Sequence, residues 1–435
     1  MEVLSMALIA LLVTFVVLML LGTPVAVTMF GSSLIYILVD PALDLANVAS
    51  KVVNGVTGTG LLSLPLFILA GEVMNNGGVT ERLFKFPLAF IGHLKGGLAY
   101  VNVAASMLFA GMSGSAIADT AGLGKIEMDA MDDAGYEKEF SVAITASSST
   151  IGPIIPPSNT MIVFAVAAEV SVARLFMGGF IPGVLMGLAL CVYIWIYSKK
   201  HYLPAQEKCS WKQRWEATVQ AFFPMLTPVI LILGICTGIC TATEAGAIAV
   251  IYATILNCVY NRGFKVKELK ECLYNAFVSM AQICFIVMAS GLFGWVITLA
   301  NIPSVIANAL YTMGADKWVV LLLINLIFLV MGMFLSINAS LLIMTPVLVT
   351  LASMYDISLV QIGVMVTLNL TIGLLTPPVG WNLYIMSAVS GLPFEKVVKA
   401  ILPTLIPLVA ALLLITYIPG LVTWLPDFLF GPGIK

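Results

Sequence analysis

The octet Thr150-Ile151-Gly152-Pro153-Ile154-Ile155-Pro156-Pro157 recurs as Thr371-Ile372-Gly373-Leu374-Leu375-Thr376-Pro377-Pro378, a TIGxxxPP pattern repeated at an offset of 371 − 150 = 221 residues. Each copy lies inside an apolar run, 141–168 and 358–391. Paired prolines remove backbone donors and clash with the preceding turn, so each run must break. The same offset carries Gly111-Met112, Ser115 and Ala118 onto Gly332-Met333, Ser336 and Ala339, and Ile181-Pro182 onto Leu402-Pro403. Three matches in one register mean a duplicated chain, with a first half near 3–197 and a second near 224–424.

The medium in which these breaks sit follows from composition. Of 435 residues, 60% are hydrophobic and only 10% charged, and the mean hydropathy is +1.07. One signal peptide or anchor needs only about 20 apolar residues, so an excess spread over the whole length means an all-α polytopic membrane protein in a lipid bilayer. A net charge of −2 offers no basic field for nucleic acid. Cys191, Cys209, Cys236, Cys240, Cys258, Cys272 and Cys284 form no CxxC pair, which argues against a disulfide framework or a zinc site. The two histidines, His93 and His201, have no Ser, Cys or Asp arrangement around them that would make a catalytic base. The chain is expected to be no enzyme and to move something across the bilayer.

Apolar runs fall near 3–21, 24–39, 61–75, 98–124, 141–168, 173–197, 219–240, 243–260, 275–300, 317–354, 358–391 and 399–424. The run 317–354 is nearly twice the length of a hydrocarbon core, yet holds Ser336, Asn338 and Ser340 at its middle. A hairpin entering and leaving by one side fits it, and 98–124, with Ser113-Gly114-Ser115 at its centre, reads the same way. Lys199, Lys200, Lys208, Lys212 and Arg214 before one pair of spans, and Arg262, Lys265, Lys267 and Lys270 after it, mark both segments as cytoplasmic. Counting outward, the first hairpin dips in from the cytoplasm and the second from outside. The expectation is an inverted-topology repeat with two re-entrant hairpins, two broken helices and both termini outside. The parts are 1–197 as first repeat, 198–218 as an amphipathic cytoplasmic linker, 219–424 as second repeat and 425–435 as a tail.

Carbonyls and hydroxyls freed at a break suit a small hard cation. Two equivalent Na+ sites follow as an expectation: Ser113, Ser115, Ser149, Gly152 and Asp119 in the first repeat, and Ser336, Asn338, Thr371, Gly373 and Thr376 in the second. Equally, the breaks could only kink helices whose hydroxyls bond their own backbone. A substrate held between the tips meets half-helix N-termini, which favour an anionic group such as a carboxylate. The candidate contacts are Ser113, Gly114, Ser115, Asn159, Ser336, Asn338, Thr376 and Asn382, while Trp381 either covers the ligand or fills space. Arg82, Arg174, Arg214 and Arg262 all lie near span ends, so no interior guanidinium is expected to hold the anion. Asp119 either supports the first tip or a cation, or is tied to backbone amides; Glu72 and Glu244 sit near span ends. Gly179, Gly183 and Gly187 form a GxxxGxxxG stripe suited to close helix packing.

Four segments together resemble the large membrane subunit of tripartite ATP-independent periplasmic (TRAP) transporters: Gly111–Asp119, Ile151–Ser158, Thr241–Ala247 and Gly373–Gly380. The resemblance covers essentially the whole chain. It implies an elevator-type fold of the ion-transporter superfamily in a bacterial inner membrane. It also implies Na+-coupled import of an organic acid, a C4-dicarboxylate, sialic acid or similar carboxylate, with two or more Na+ ions and no covalent cofactor. The implied partners are a small four-helix membrane subunit and a periplasmic substrate-binding protein, expected as separate chains. Composition and repeats equally allow a receptor-independent Na+- or H+-coupled dicarboxylate symporter, and, from another class, a passive anion channel.

Overall fold

In hydrocarbon an unpaired backbone group costs several kcal/mol, so apolar segments close their hydrogen bonds within helices. The computed structural model describes residues 2–41, 43–76, 78–260 and 266–432; Arg262 and Lys265, used above to orient the chain, lie outside them, as do 433–435 of the tail. Among the described residues every regular element is helical, and seven helices are long and apolar enough to cross a membrane.

The first half comprises α1 (Glu2–Leu20), α2 (Val25–Val39), α3 (Ala46–Val56), α4 (Ser63–Asn76), α5 (Val79–Ile91), α6 (Gly97–Ser113), α7 (Ala116–Ala121), α8 (Leu123–Asp133), α9 (Lys138–Ser149), α10 (Asn159–Ala167) and α11 (Val172–Lys200). The second comprises α12 (Trp211–Cys236), α13 (Ala242–Tyr260), α14 (Val266–Leu299), α15 (Ile302–Thr312), α16 (Lys317–Phe334), α17 (Ile337–Met354), α18 (Leu359–Gly373), α19 (Trp381–Ser390), α20 (Phe394–Tyr417) and α21 (Gly420–Phe430). Adding 221 to the bounds of α6 gives 318–334, against 317–334 for α16; adding it to the span of α7 and α8 gives 337–354, the bounds of α17. The same shift moves the start of α9 from 138 to 359, the start of α18, and the start of α10 from 159 to 380, beside that of α19. The duplication read from a few motifs is thus carried by the helices themselves.

Several elements differ from the expected bounds. The first hairpin returns through α7 and α8 to Asp133, past the apolar run ending at 124, because the backbone ladder continues through the charged residues beyond Lys125. α12 starts at Trp211, inside the expected linker, where Ser210 and Gln213 form a reciprocal capping box. α21 covers the first part of the expected tail, held by Arg174, which donates to Asp427 at 3.1 Å and to the Gly431 carbonyl at 2.6 Å. Helices α3, α5 and α15 correspond to no apolar run. In α5, Val79, Leu83 and Phe84 are buried while Lys85 is exposed, so one stripe rather than the whole segment is apolar.

Two hydrophobic cores result. A smaller one joins α1, α2 and α14 through Leu11, Met29, Tyr36 and Leu292. The larger one encloses the hairpins and both breaks. The glycine stripe of α11 lies against the first break: a Cβ on Gly179 would collide with the Ile154 carbonyl, and one on Gly183 with Ile155. The small residues therefore seat an irregular segment, which needs the closest approach of all.

Candidate functional site

Both tips begin a helix with a serine. Ser115 caps α7, accepting from Ala118 N at 3.4 Å, and Ser336, its counterpart at the 221 offset, caps α17 by accepting from Ala339 N at 3.4 Å. The polar residue in the middle of each apolar run is therefore what ends one arm and starts the next. Gly114 adopts φ +58°, and a Cβ there would stand 2.5 Å from the Pro157 carbonyl, so the first tip rests on the first break. The second tip and second break meet through Gly332 and Gly373, where a Cβ on Gly373 would stand 2.6 Å from Gly332 Cα.

Between the tips lies a cavity of about 420 Å³. Ser113, Gly114, Ser115 and Asn159 line it from the first repeat, and Ser336, Asn338 and Trp381 from the second. Six of the eight candidate substrate contacts are thus gathered around one space. The Asn159 side-chain amide donates to the Ser113 carbonyl at 3.5 Å, and the Asn338 Oδ1 is buried without a hydrogen-bond partner. Trp381 is 48% exposed and lines the cavity. The opposite wall comes from α4 and α14, through Glu72, Asn75 and Ser279. Glu72 is the only ionisable residue among the lining residues, which include no lysine, arginine or histidine.

Thr376 and Asn382 lie outside that lining. Thr376 donates to the Ile372 carbonyl at 2.9 Å, and Asn382 is fully buried, donating to the Ser149 hydroxyl at 3.2 Å. Ser149 in turn donates to the Ala146 carbonyl at 2.8 Å and accepts from Thr120 at 2.8 Å, while Thr371 donates to Leu368 at 2.7 Å. Back-bonding of this kind uses the hydroxyl proton and leaves oxygen lone pairs as acceptors. Gly152 is buried against the first tip, a Cβ there standing 3.3 Å from the Ser115 carbonyl carbon. Asp119 is 1% exposed, one turn beyond the tip, with its carboxyl against Ser106 of α6.

Glu244 stands apart: its exposed carboxylate accepts from Thr241 N at 2.8 Å and from Thr241 Oγ1 at 2.9 Å, which makes it a cap of α13. Three residues of the site escaped the sequence reading. Asn75 and Ser279 are polar residues among others on α4 and α14 and carry no signal of their own. Glu127 of α8, 1% exposed beside Asp119, sits in a run so rich in charge that it reads as a solvated face.

Residues 12–421 match the family "Tripartite ATP-independent periplasmic transporter, DctM component". The chain is 37% identical over 412 residues to the sialic acid TRAP transporter large permease protein SiaM of Vibrio cholerae, covering 95% of this chain and 96% of that one. It is 35% identical over 450 residues to the C4-dicarboxylate TRAP transporter large permease protein DctM of the same organism, covering 99% of each. It is 34% identical to the 2,3-diketo-L-gulonate TRAP transporter large permease protein YiaN of Escherichia coli, over 92% of this chain and 95% of that one. Its fold is similar to that of the Alcanivorax borkumensis YdaH transporter, with a TM-score of 0.64 at 14% identity over 92% of this chain and 98% of the other.

Proposed function

Because this chain belongs to the DctM-component family of tripartite ATP-independent periplasmic transporters, we propose that it is a large permease subunit that imports an organic acid by Na+ symport. The observation that carries the reading is the single cavity reached by both hairpin tips, each backed by a broken helix. An acid in that cavity is held by half-helix N-termini and by Ser113, Ser115, Ser336, Asn338 and Asn159, since the lining residues offer it no cationic side chain. Sodium supplies the missing positive charge. One ion sits at Ser113, Ser115, Ser149 and Gly152 with Asp119 behind them, the other at Ser336, Asn338, Thr371, Gly373 and Thr376. Acid and ions then favour each other's binding, which is the coupling an importer requires.

The wall formed by α4 and α14 is the surface past which the hairpins and broken helices move as a block, an elevator mechanism. The small membrane subunit braces that wall, and a periplasmic binding protein delivers the acid. Relatives named for sialic acid, C4-dicarboxylates and diketogulonate share acidity, and the substrate class is a small carboxylate. The test is uptake of labelled sialic acid and succinate into proteoliposomes holding this chain, its small subunit and its binding protein, under an imposed Na+ gradient. Uptake of either acid that needs both the gradient and the binding protein supports the proposal. Equal uptake by the chain alone favours a receptor-independent symporter, and conductance without coupling favours a passive channel.

A further inference from the structure

Behind the first hairpin, Asp119 on α7 and Glu127 on α8 are each 1% exposed, and among the described residues the one hydroxyl set against their four carboxyl oxygens is that of Ser106. The Ser106 hydroxyl of α6 lies against both carboxyls yet donates to Ser148 at 3.1 Å. Ser148 itself donates to Asn102 Oδ1 at 2.7 Å, and the Asn102 amide donates to Thr145 at 2.7 Å, so the surrounding donors are already used. The ion pairs among the described residues involve neither acid. Ionised carboxylates accept hydrogen bonds or coordinate cations and can do nothing else, and burying two of them together without either is prohibitive.

The duplication sharpens the point. At the 221 offset Asp119 and Glu127 fall on Ser340 and Leu348, so the second repeat carries neither acid although its helices match. An extra pair of acids in one half of a duplicated frame serves something that only that half does. We propose that Asp119 and Glu127, with the Ser106 hydroxyl, form a separate site for a hard, oxygen-liganded cation behind the first hairpin. This rests on the sodium reading above but gives Asp119 a site of its own, distinct from the tip site of Ser113 and Ser115, with Glu127 as the second carboxylate. A bound cation ties α6, α7 and α8 together, so the first tip keeps its shape only when the site is filled. Sodium and calcium both prefer such oxygens, and the experiment separates them.

The experiment is equilibrium dialysis of the purified chain against ²²Na+ and, separately, ⁴⁵Ca²⁺, with wild type, Glu127→Gln, Glu127→Leu and Ser115→Ala compared at saturation. Glu127→Leu installs the side chain of the second repeat and has an apolar side chain to pack if Glu127→Gln fails to fold; size-exclusion elution reports folding for each. The account expects the Glu127 variants to bind about one ion fewer per chain, in the sodium arm or in the calcium arm according to the resident ion. Ser115→Ala retains that ion and loses a tip ion instead. Equal binding of both ions by wild type and folded Glu127 variants overturns the proposal and leaves the pair neutralised by protons. Loss in the Glu127 variants with none in Ser115→Ala keeps this site and removes the tip site.

Discussion

The side-chain amide of Asn382, at the start of α19, donates to the hydroxyl of Ser149, at the end of α9, across 3.2 Å. The bond joins the second broken helix to the first across 233 residues of chain. Both partners are buried, and Asn382 Oδ1 remains without a partner. Asn382→Ala removes this bond while Ser149 keeps its bonds to Thr120 and Ala146, so the loss is that of one hydrogen bond, about 0.5 to 1.5 kcal/mol. The expected outcome is a lower melting temperature together with a raised Na+ half-saturation for uptake. Unchanged Na+ dependence would confine Asn382 to folding.

Ser115→Ala and Ser336→Ala each remove a helix cap at a tip, costing about 1 kcal/mol of stability. Each is also expected to shift the Na+ dependence of uptake to higher concentration, by several-fold or more. Uptake titrated against Na+ decides it: unchanged dependence in both variants removes the tips from the cation sites.

Gly373→Ala places a Cβ between two backbones, 2.6 Å from Gly332 Cα and 2.7 Å from Gly332 C, where no side chain can give way. Overpacking of this kind costs about 1 to 3 kcal/mol. Gly420→Ala meets nothing within 4 Å and serves as the control, with a change within about 0.5 kcal/mol. Thermal unfolding in detergent measures both, and equal melting temperatures would refute the tight pairing of α16 with α18.

Topology is checked by cysteine labelling in a chain whose seven native cysteines are replaced. Lys95 and Lys138 are exposed on either side of the first hairpin, and Ser353 is exposed at the end of the second. Cysteines at the two lysines are expected to react with an impermeant reagent only from the cytoplasm, and Ser353→Cys only from outside. All three reacting from one side would rule out an inverted repeat.

Much of the fold was legible because a polar or proline residue in an apolar run has few permitted explanations. Ser113-Gly114-Ser115 and Ser336 marked the tips, and the two TIGxxxPP octets marked the breaks, since each would otherwise leave backbone groups unpaired in lipid. The register of 221 survived into the helices because inserting a residue into a packed helix rotates every following side chain. Less legible were α5 and α15, short helices with only a few residues buried, and α3, with none fully buried, which are hard to tell apart from interfacial loops by hydropathy. Trp211 illustrates another limit: its neighbours are charged, but a capping box starts a helix regardless of what the next turns face. The cavity wall was hidden for a different reason. Asn75 and Ser279 acquire meaning only from what the fold sets opposite them, and Glu127 is buried by its partner helices although its sequence neighbours point to water.

The most direct test of the sodium reading needs no substrate: thermal unfolding of the purified chain in NaCl, KCl and choline chloride at equal ionic strength. A ligand that binds only the folded state stabilises it by about 2.7 kcal/mol at a hundred times its Kd. The account predicts a rise in melting temperature in NaCl alone, reduced in Ser115→Ala and in Ser336→Ala. Identical melting temperatures in the three salts would contradict it.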